Sequence, residues 1–362
     1  MKKKNKPSFF KKLVSTVHLW VGLVVGLVFV LVAASGAVLS FEDELEPVIY
    51  PEFYFAKDGS NTNALLPIKN LLESAKQHSE DKKIARIVLT KDLGKGGNVL
   101  FVTAGSRLER SFIGVNPYNG KVQNVIKPGR NLFTWMEEFH RKLIMGKIGK
   151  TITGICCIAY ILIILTGIIL WWPKNKNILK QRTKIKWDAS AKRLNWDFHA
   201  VGGIYSAPLL MLMCLTGITW SYPIFKSDDD IKFNTNSHKI SAQTYEMLSQ
   251  EYYLKARNEN VTIGLPDKKK DYVNVSIGKD DFYYHPETSA LLRDASYEKI
   301  SINSQIKSWM KPLHTGSAFG FIGKLIYFLV TLIGVSLPIT GFTIWFGKKK
   351  KKKPNTYKKA IA

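Results

Sequence analysis

Four uncharged apolar runs stand out along the chain: Leu19–Phe41, Thr151–Trp172, Ala200–Tyr222 and Leu325–Phe346, of 23, 22, 23 and 22 residues. Each reaches the ~20 helical residues needed to cross ~30 Å of hydrocarbon. The segment between the first two runs changes period. Pro67–Gln77 has helical spacing with Leu71 and Leu72 on its apolar side, and strand-like stretches follow at Ile84–Thr90, Asn98–Thr103 and Arg110–Val115. A turn, Asn116-Pro117-Tyr118-Asn119-Gly120, then leads into a returning Lys121–Ile126. Between the third and fourth runs, Ser241–Arg257 reads as helix. Tyr272–Ile277 and Asp281–His285 read as strands there, with Pro286-Glu287-Thr288-Ser289 as the turn. The pattern predicts four membrane helices and two small α+β domains. Pro208 and Pro338 fall mid-span and are expected to kink their helices, which neighbours in a bundle tolerate.

Charge orients this arrangement. Lys and Arg total 53 against 28 Asp and Glu, a net +25 that would ordinarily suggest nucleic acid. The excess is concentrated in residues 1–17, 173–198 and 347–362, which together hold +20. These stretches flank the start of the first run, the link between the second and third, and the end of the fourth. The positive-inside rule then puts both termini in the cytoplasm and both α+β segments outside, and no nucleic-acid partner is expected. Trp20, Trp171, Trp172, Trp220 and Trp345 lie at run ends, where interfacial aromatics belong. Lys348–Lys353 is expected to anchor to membrane lipids. Residues 1–39 also resemble a signal peptide, but the apolar stretch is too long and the third run repeats its pattern, so a retained helix is expected.

The expected division is 1–41 (cytoplasmic N-terminus and first span), 42–148 (first outer domain), 149–172 (second span) and 173–198 (basic loop). It continues with 199–222 (third span), 223–319 (second outer domain), 320–346 (fourth span) and 347–362 (Lys-rich tail). Cys156, Cys157 and Cys214 all lie in spans, so no disulfide holds the outer domains and no C-x-x-C-H site offers covalent haem attachment.

An internal repeat organises the sequence. With His18 on His199, Gly22 meets Gly203 and Ser35-Gly36 meets Thr216-Gly217 without a gap. With His140 on His314, Gly149-Lys150 meets Gly323-Lys324, Thr166-Gly167 meets Thr340-Gly341, and Trp171-Trp172 meets Trp345-Phe346. Both halves run in, out and back, so they are parallel repeats about a pseudo-two-fold axis along the membrane normal. Equivalent residues then face each other at equal depth.

Four of the seven histidines occupy these equivalent positions: His18 and His199 near the inner surface, His140 and His314 near the outer. For any one of them, capping or an interfacial hydrogen bond is an alternative role. Two symmetric pairs point instead to paired metal ligation. Closed zinc sites need four N or S ligands, and each level offers two imidazoles without a thiolate. Opposed imidazoles suit the axial positions of haem, here b-type. Gly22 and Gly203 would leave room for a macrocycle, with ordinary helix packing as the alternative. Arg141, Lys142 and Arg193 are candidates for pairing with propionates, or else juxtamembrane anchors. His78, His238 and His285 are expected at the surface.

Several segments resemble the signatures of PepSY-associated transmembrane proteins: Phe139-His140-Arg141-Lys142-Leu143, Trp196-Asp197-Phe198-His199 with Gly202-Gly203, and Leu313-His314-Thr315-Gly316-Ser317-Ala318-Phe319-Gly320. The span endings Thr166-Gly167-Ile168-Ile169-Leu170-Trp171-Trp172-Pro173 and Thr340-Gly341-Phe342-Thr343-Ile344-Trp345 do so too. Asn116-Pro117-Tyr118-Asn119-Gly120-Lys121-Val122 is similar to the PepSY hairpin, while His285-Pro286-Glu287-Thr288-Ser289 departs from the Asn-Pro-x-x-Gly form. The resemblance implies PepSY-like outer domains in the periplasm and an inner-membrane, iron-regulated protein. It also implies His18, His140, His199 and His314 as ligands of two b haems, in the manner of periplasmic ferric-siderophore reductases.

The expectation is therefore an oxidoreductase that carries electrons across the membrane. They would enter near His18 and His199 and leave near His140 and His314 for a ferric siderophore or other ferric chelate. Reduction to the softer Fe(II) weakens its hold by hard oxygen donors. No catalytic residue beyond the haem ligands is expected. The lysine tail ends without a flavin domain, so the donor is expected to be a separate cytoplasmic reductase or quinol. The rival expectation is a non-redox anchor whose PepSY-like domains bind a peptide, protease or partner.

Overall fold

The computed structural model describes residues 8–57, 65–90, 96–222, 224–225, 233–256, 259–268 and 270–349. Lys2–Lys6 and Lys350–Lys353, which carry part of the basic signal, lie outside the described residues. The chain forms two compact units. One comprises Met1–Ser40, Phe139–Ile224 and Met310–Ala362; the other comprises Phe41–Glu138 and Phe225–Trp309.

In chain order the helices are α1 (Phe9–Leu39), α2 (Glu42–Ile49), α3 (Pro51–Tyr54), α4 (Ile68–Lys76), α5 (Leu132–Lys142) and α6 (Gly146–Trp171). They continue with α7 (Lys176–Arg182), α8 (Ala191–Ser221), α9 (Ala242–Lys255), α10 (Ile302–Thr315) and α11 (Gly320–Lys349). The strands are β1 (Ile84–Leu89), β2 (Val99–Thr103), β3 (Phe112–Val115), β4 (Val122–Ile126), β5 (Val261–Gly264), β6 (Val273–Ile277), β7 (Asp280–Tyr284) and β8 (Leu291–Ala295).

The first unit is a bundle of α1, α6, α8 and α11. Helices α1, α6 and α8 and the fourth candidate span, Ser317–Gly347, are long and apolar enough to cross a membrane. Each bundle helix packs against two others in the cyclic order α1–α6–α8–α11, so α1 stands opposite α8 and α6 opposite α11. Helices α1 and α8 run about ten residues further toward their basic flanks than the apolar runs alone predict. Ser8 caps α1 by accepting from Lys11 N. Small residues bring the helices together. A Cβ on Gly26 would stand 3.0 Å from Pro338, a close approach that also seats the mid-helix proline.

The second unit holds one eight-stranded antiparallel sheet in the order β4-β3-β2-β1-β5-β6-β7-β8. The two small domains expected from the sequence are thus halves of one body, joined where Arg86–Leu89 of β1 pairs with Val261–Gly264 of β5. The strand alternation explains the core. Ile87, Leu89, Phe101, Ile113, Ile263, Val273 and Val275 are buried with Leu71, Leu72, Leu248 and Tyr252 from α4 and α9. The helices are cross-satisfied: Ile68 N donates to Ser249 Oγ at 3.0 Å, and Tyr253 OH to the Leu66 carbonyl at 2.5 Å. Phe53 of α3 packs with Leu100 and Ile126 in a second small cluster, which is why β2 is buried throughout.

The second half has the same helix and four strands as the first, two strands more than its sequence predicts. Its turn shows how the departing motif works. Asn116 Oδ1 accepts from Tyr118 N at 2.9 Å, and Gly120 takes φ +71. His285 Nδ1 likewise accepts from Glu287 N and Thr288 N at 3.1 and 3.2 Å, and Ser289 takes φ +62. His285 is a turn residue standing in for asparagine.

Candidate functional site

Two histidine pairs occupy the helical unit. His18 of α1 and His199 of α8 sit on one diagonal with ring centroids 6.3 Å apart and planes at 86°. His140 of α5 and His314 of α10 have centroids 6.0 Å apart at 72°. Imidazole–metal bonds of ~2.0 Å are compatible with both separations, so each pair could share one metal centre. Among the described residues no group of three or more His, Cys, Asp or Glu is arranged to hold a metal, so the donor set is two imidazoles per level.

Each ring is held from behind in a related way. His18 Nδ1 donates to the Ile163 carbonyl at 3.2 Å and to Thr166 Oγ1 at 3.0 Å. His199 Nδ1 donates to the Leu337 carbonyl and to Thr340 Oγ1, both at 3.0 Å. The threonine hydroxyls spend their own hydrogen on carbonyls one turn back: Thr166 reaches Leu162 at 2.8 Å and Thr340 reaches Ser336 at 2.9 Å. They can therefore only accept from the imidazole, which fixes the proton on Nδ1 and leaves Nε2 as the free lone pair. His314 Nδ1 meets Thr216 Oγ1 at 2.9 Å, and that hydroxyl reaches Leu212 O at 2.7 Å. His140 Nδ1 donates to the Val32 carbonyl at 2.7 Å, where Ser35 also donates at 2.8 Å.

The glycine after each Ser or Thr makes the seat. Cβ atoms built on Gly36, Gly167, Gly217 and Gly341 would stand 2.8, 3.2, 3.5 and 3.3 Å from Cε1 of His140, His18, His314 and His199. The sequence marks these Ser/Thr-Gly pairs as repeats without revealing their task. Four histidines and four such pairs was the signal available.

The two pairs lie far apart. On α1, His18 and Gly36 are separated by 18 residues, about 27 Å of helix rise. Phe29 stacks on Tyr160 between these levels, centroids 3.6 Å apart at 5°. Tyr327 lies buried against Gly316, two residues from His314, and its hydroxyl has no hydrogen-bond partner among the described residues.

Around His18 and His199 is a cavity of ≈ 280 Å³ with mostly apolar walls. Gly22, Gly26 and Gly203 line it, and a Cβ on Gly22 would meet nothing within 4 Å. These walls and the two imidazoles would suit a flat, mostly apolar macrocycle, which His18 and His199 would hold. Of the propionate candidates, Arg193 does not line this cavity. Its Nε contacts both carboxylate oxygens of buried Asp197, at 2.9 and 3.0 Å, and Asp197 also accepts from Lys186 N at 3.3 Å. That network organises the start of α8. His78 and His238 are exposed.

These features define a polytopic helical bundle with paired interior histidines, attached to an antiparallel sheet body. The chain belongs to the family of the PepSY-associated TM region, which matches residues 15–348. With its four long apolar helices, that makes it a multi-pass membrane protein. No curated protein matches the sequence.

Proposed function

We propose that this chain is a di-haem b-type electron-transfer protein of the bacterial inner membrane that reduces ferric siderophores or other ferric chelates on the periplasmic side, releasing Fe(II). The observation carrying this reading is the two histidine pairs, each with rings about 6 Å apart that could share one haem iron and each ring anchored through Nδ1. Haem supplies reversible one-electron chemistry. The protein's part is to present Nε2 as a lone pair, to hold each ring in one orientation and to surround the His18–His199 level with apolar walls. Carbonyl and hydroxyl partners on the far nitrogen of a ligand imidazole raise its basicity and fix its ring orientation.

In this reading the two sequence repeats are parallel halves about an axis along the membrane normal, and the sheet body consists of two PepSY-like halves facing the periplasm. The basic flanks support cytoplasmic termini. That puts His18 and His199 on the donor side, where a cytoplasmic reductase or quinol delivers electrons, and His140 and His314 on the chelate side. Detergent-purified protein from haem-replete cells should be red, with a Soret band that shifts on dithionite reduction and reverts with a ferric hydroxamate. Colourless, folded protein would overturn the haem reading and favour a non-redox anchor for a peptide, protease or partner protein.

A further inference from the structure

Among the described residues, Arg182 is the one Lys, Arg, Asp or Glu side chain lining the His18–His199 cavity. It sits at the end of α7, in the loop joining α6 to α8. Its Nη1 donates to the carbonyls of Leu170, Trp171 and Trp172, the last of these at 3.5 Å. In return, Trp171 Nε1 donates to the Arg182 carbonyl at 3.3 Å. These three carbonyls are the open C-terminal end of α6, which carries partial negative charge and holds a cation in place.

The guanidinium is thus pinned through one nitrogen. Its Nε and Nη2 make no hydrogen bond among the described residues, which leaves donors of fixed fork geometry unused. A part-buried cation beside apolar walls is costly unless an anion meets it. Haem b brings two carboxylates on one edge of an otherwise apolar disc. The glycine-lined walls suit the disc, and the carboxylate edge needs a charged partner.

On the haem reading above, we infer that Arg182 binds a propionate carboxylate of the haem held by His18 and His199, and so decides which edge of that haem faces the α6–α8 loop. Arg193, read from the sequence as a candidate, does not line this cavity, and its Nε is engaged by Asp197.

The test compares protohaem with its dimethyl ester, which keeps the ring and iron but lacks the carboxylate charges. Full-length apoprotein carrying His140→Ala, so that only the first pair loads, is titrated with each and followed at the Soret band. With Arg182 intact, protohaem should bind at least ~10-fold more tightly than the ester, the scale of a charge-assisted contact. Arg182→Gln should bring the ratio of the two Kd values near one while the bis-histidine spectrum is kept. Arg182→Lys should retain part of the preference. Equal binding of both porphyrins to the Arg182 protein overturns the anchor without recourse to any variant at that position, as does an undiminished preference in a folded Arg182→Gln protein. If neither porphyrin binds the first pair, the haem reading itself fails and the anchor falls with it.

Discussion

A histidine can offer a metal only the nitrogen its neighbours leave free. In this bundle the choice is made one helix away, by a hydroxyl whose own proton is already turned to its backbone. Thr166→Val and Thr340→Val remove that acceptor at nearly constant volume. Each should weaken haem binding at the first pair about 10-fold or more, the usual cost of losing the hydrogen-bond partner that orients a ligand imidazole. Haem titration would register it, and an unchanged affinity would mean that the carbonyls of Ile163 and Leu337 suffice. The ligands themselves make a sharper test. His18→Ala and His199→Ala should remove the same half of the haem, and their double mutant no more than either alone. The same should hold for His140→Ala and His314→Ala. Pyridine haemochrome content of the purified variants gives the count, and full haem in all four single variants is the result that ligation cannot survive.

At the scale of elements, the second pair depends on a sharp reversal between a short helix and a span. Leu143, Ile144 and Gly146 take positive φ between α5 and α6, as Gly316 and Gly320 do between α10 and α11. The returning backbone presses on the next helix: a Cβ on Gly149 would lie 1.6 Å from the Lys142 carbonyl, and one on Gly323 would lie 2.3 Å from that of Gly316. This is the physical reason for the fixed nine-residue step from each histidine to its glycine. Gly149→Ala should therefore open the turn, with a stability loss of more than about 3 kcal/mol. It should release haem from the second pair while leaving the first loaded, which thermal unfolding and spectra together would detect.

The spans and the first set of strands were legible because their periodicity is long and regular. β5 was not, being four residues after a polar Asn-Glu-Asn, and β8 carries Arg293 and Asp294 in place of β-branched residues. Both are strands because a neighbour pairs with them, which local pattern does not encode. Arg182 carries no such signal for a related reason. It lies on a seven-residue helix outside every span, and only the fold brings it to the cavity.

At the scale of the molecule, each half of the sheet is an excursion between two spans, and the halves meet along β1 and β5. A segment of residues 42–138 made alone would expose the long edge of β1, so it should self-associate or aggregate and be relieved by co-expressed 225–309. Size-exclusion chromatography of the two preparations would distinguish these outcomes, and a stable monomer of 42–138 would show the seam to be dispensable. The orientation is tested separately. A dual reporter fused after Ala362 should be active only in its cytoplasmic form, and a periplasmic signal would reverse the proposed direction of electron flow.

The seam also imposes a timetable. Val261 follows Leu89 by 172 residues, an interval of roughly 10–30 s at ordinary translation rates. Throughout that interval β1 has no partner on one side, and two further spans must be threaded before β5 emerges. Closure of the sheet therefore announces that the third helix has been inserted the right way round. A chain that stalls or inverts there is left displaying an open strand edge, the kind of surface that quality-control proteases and chaperones capture.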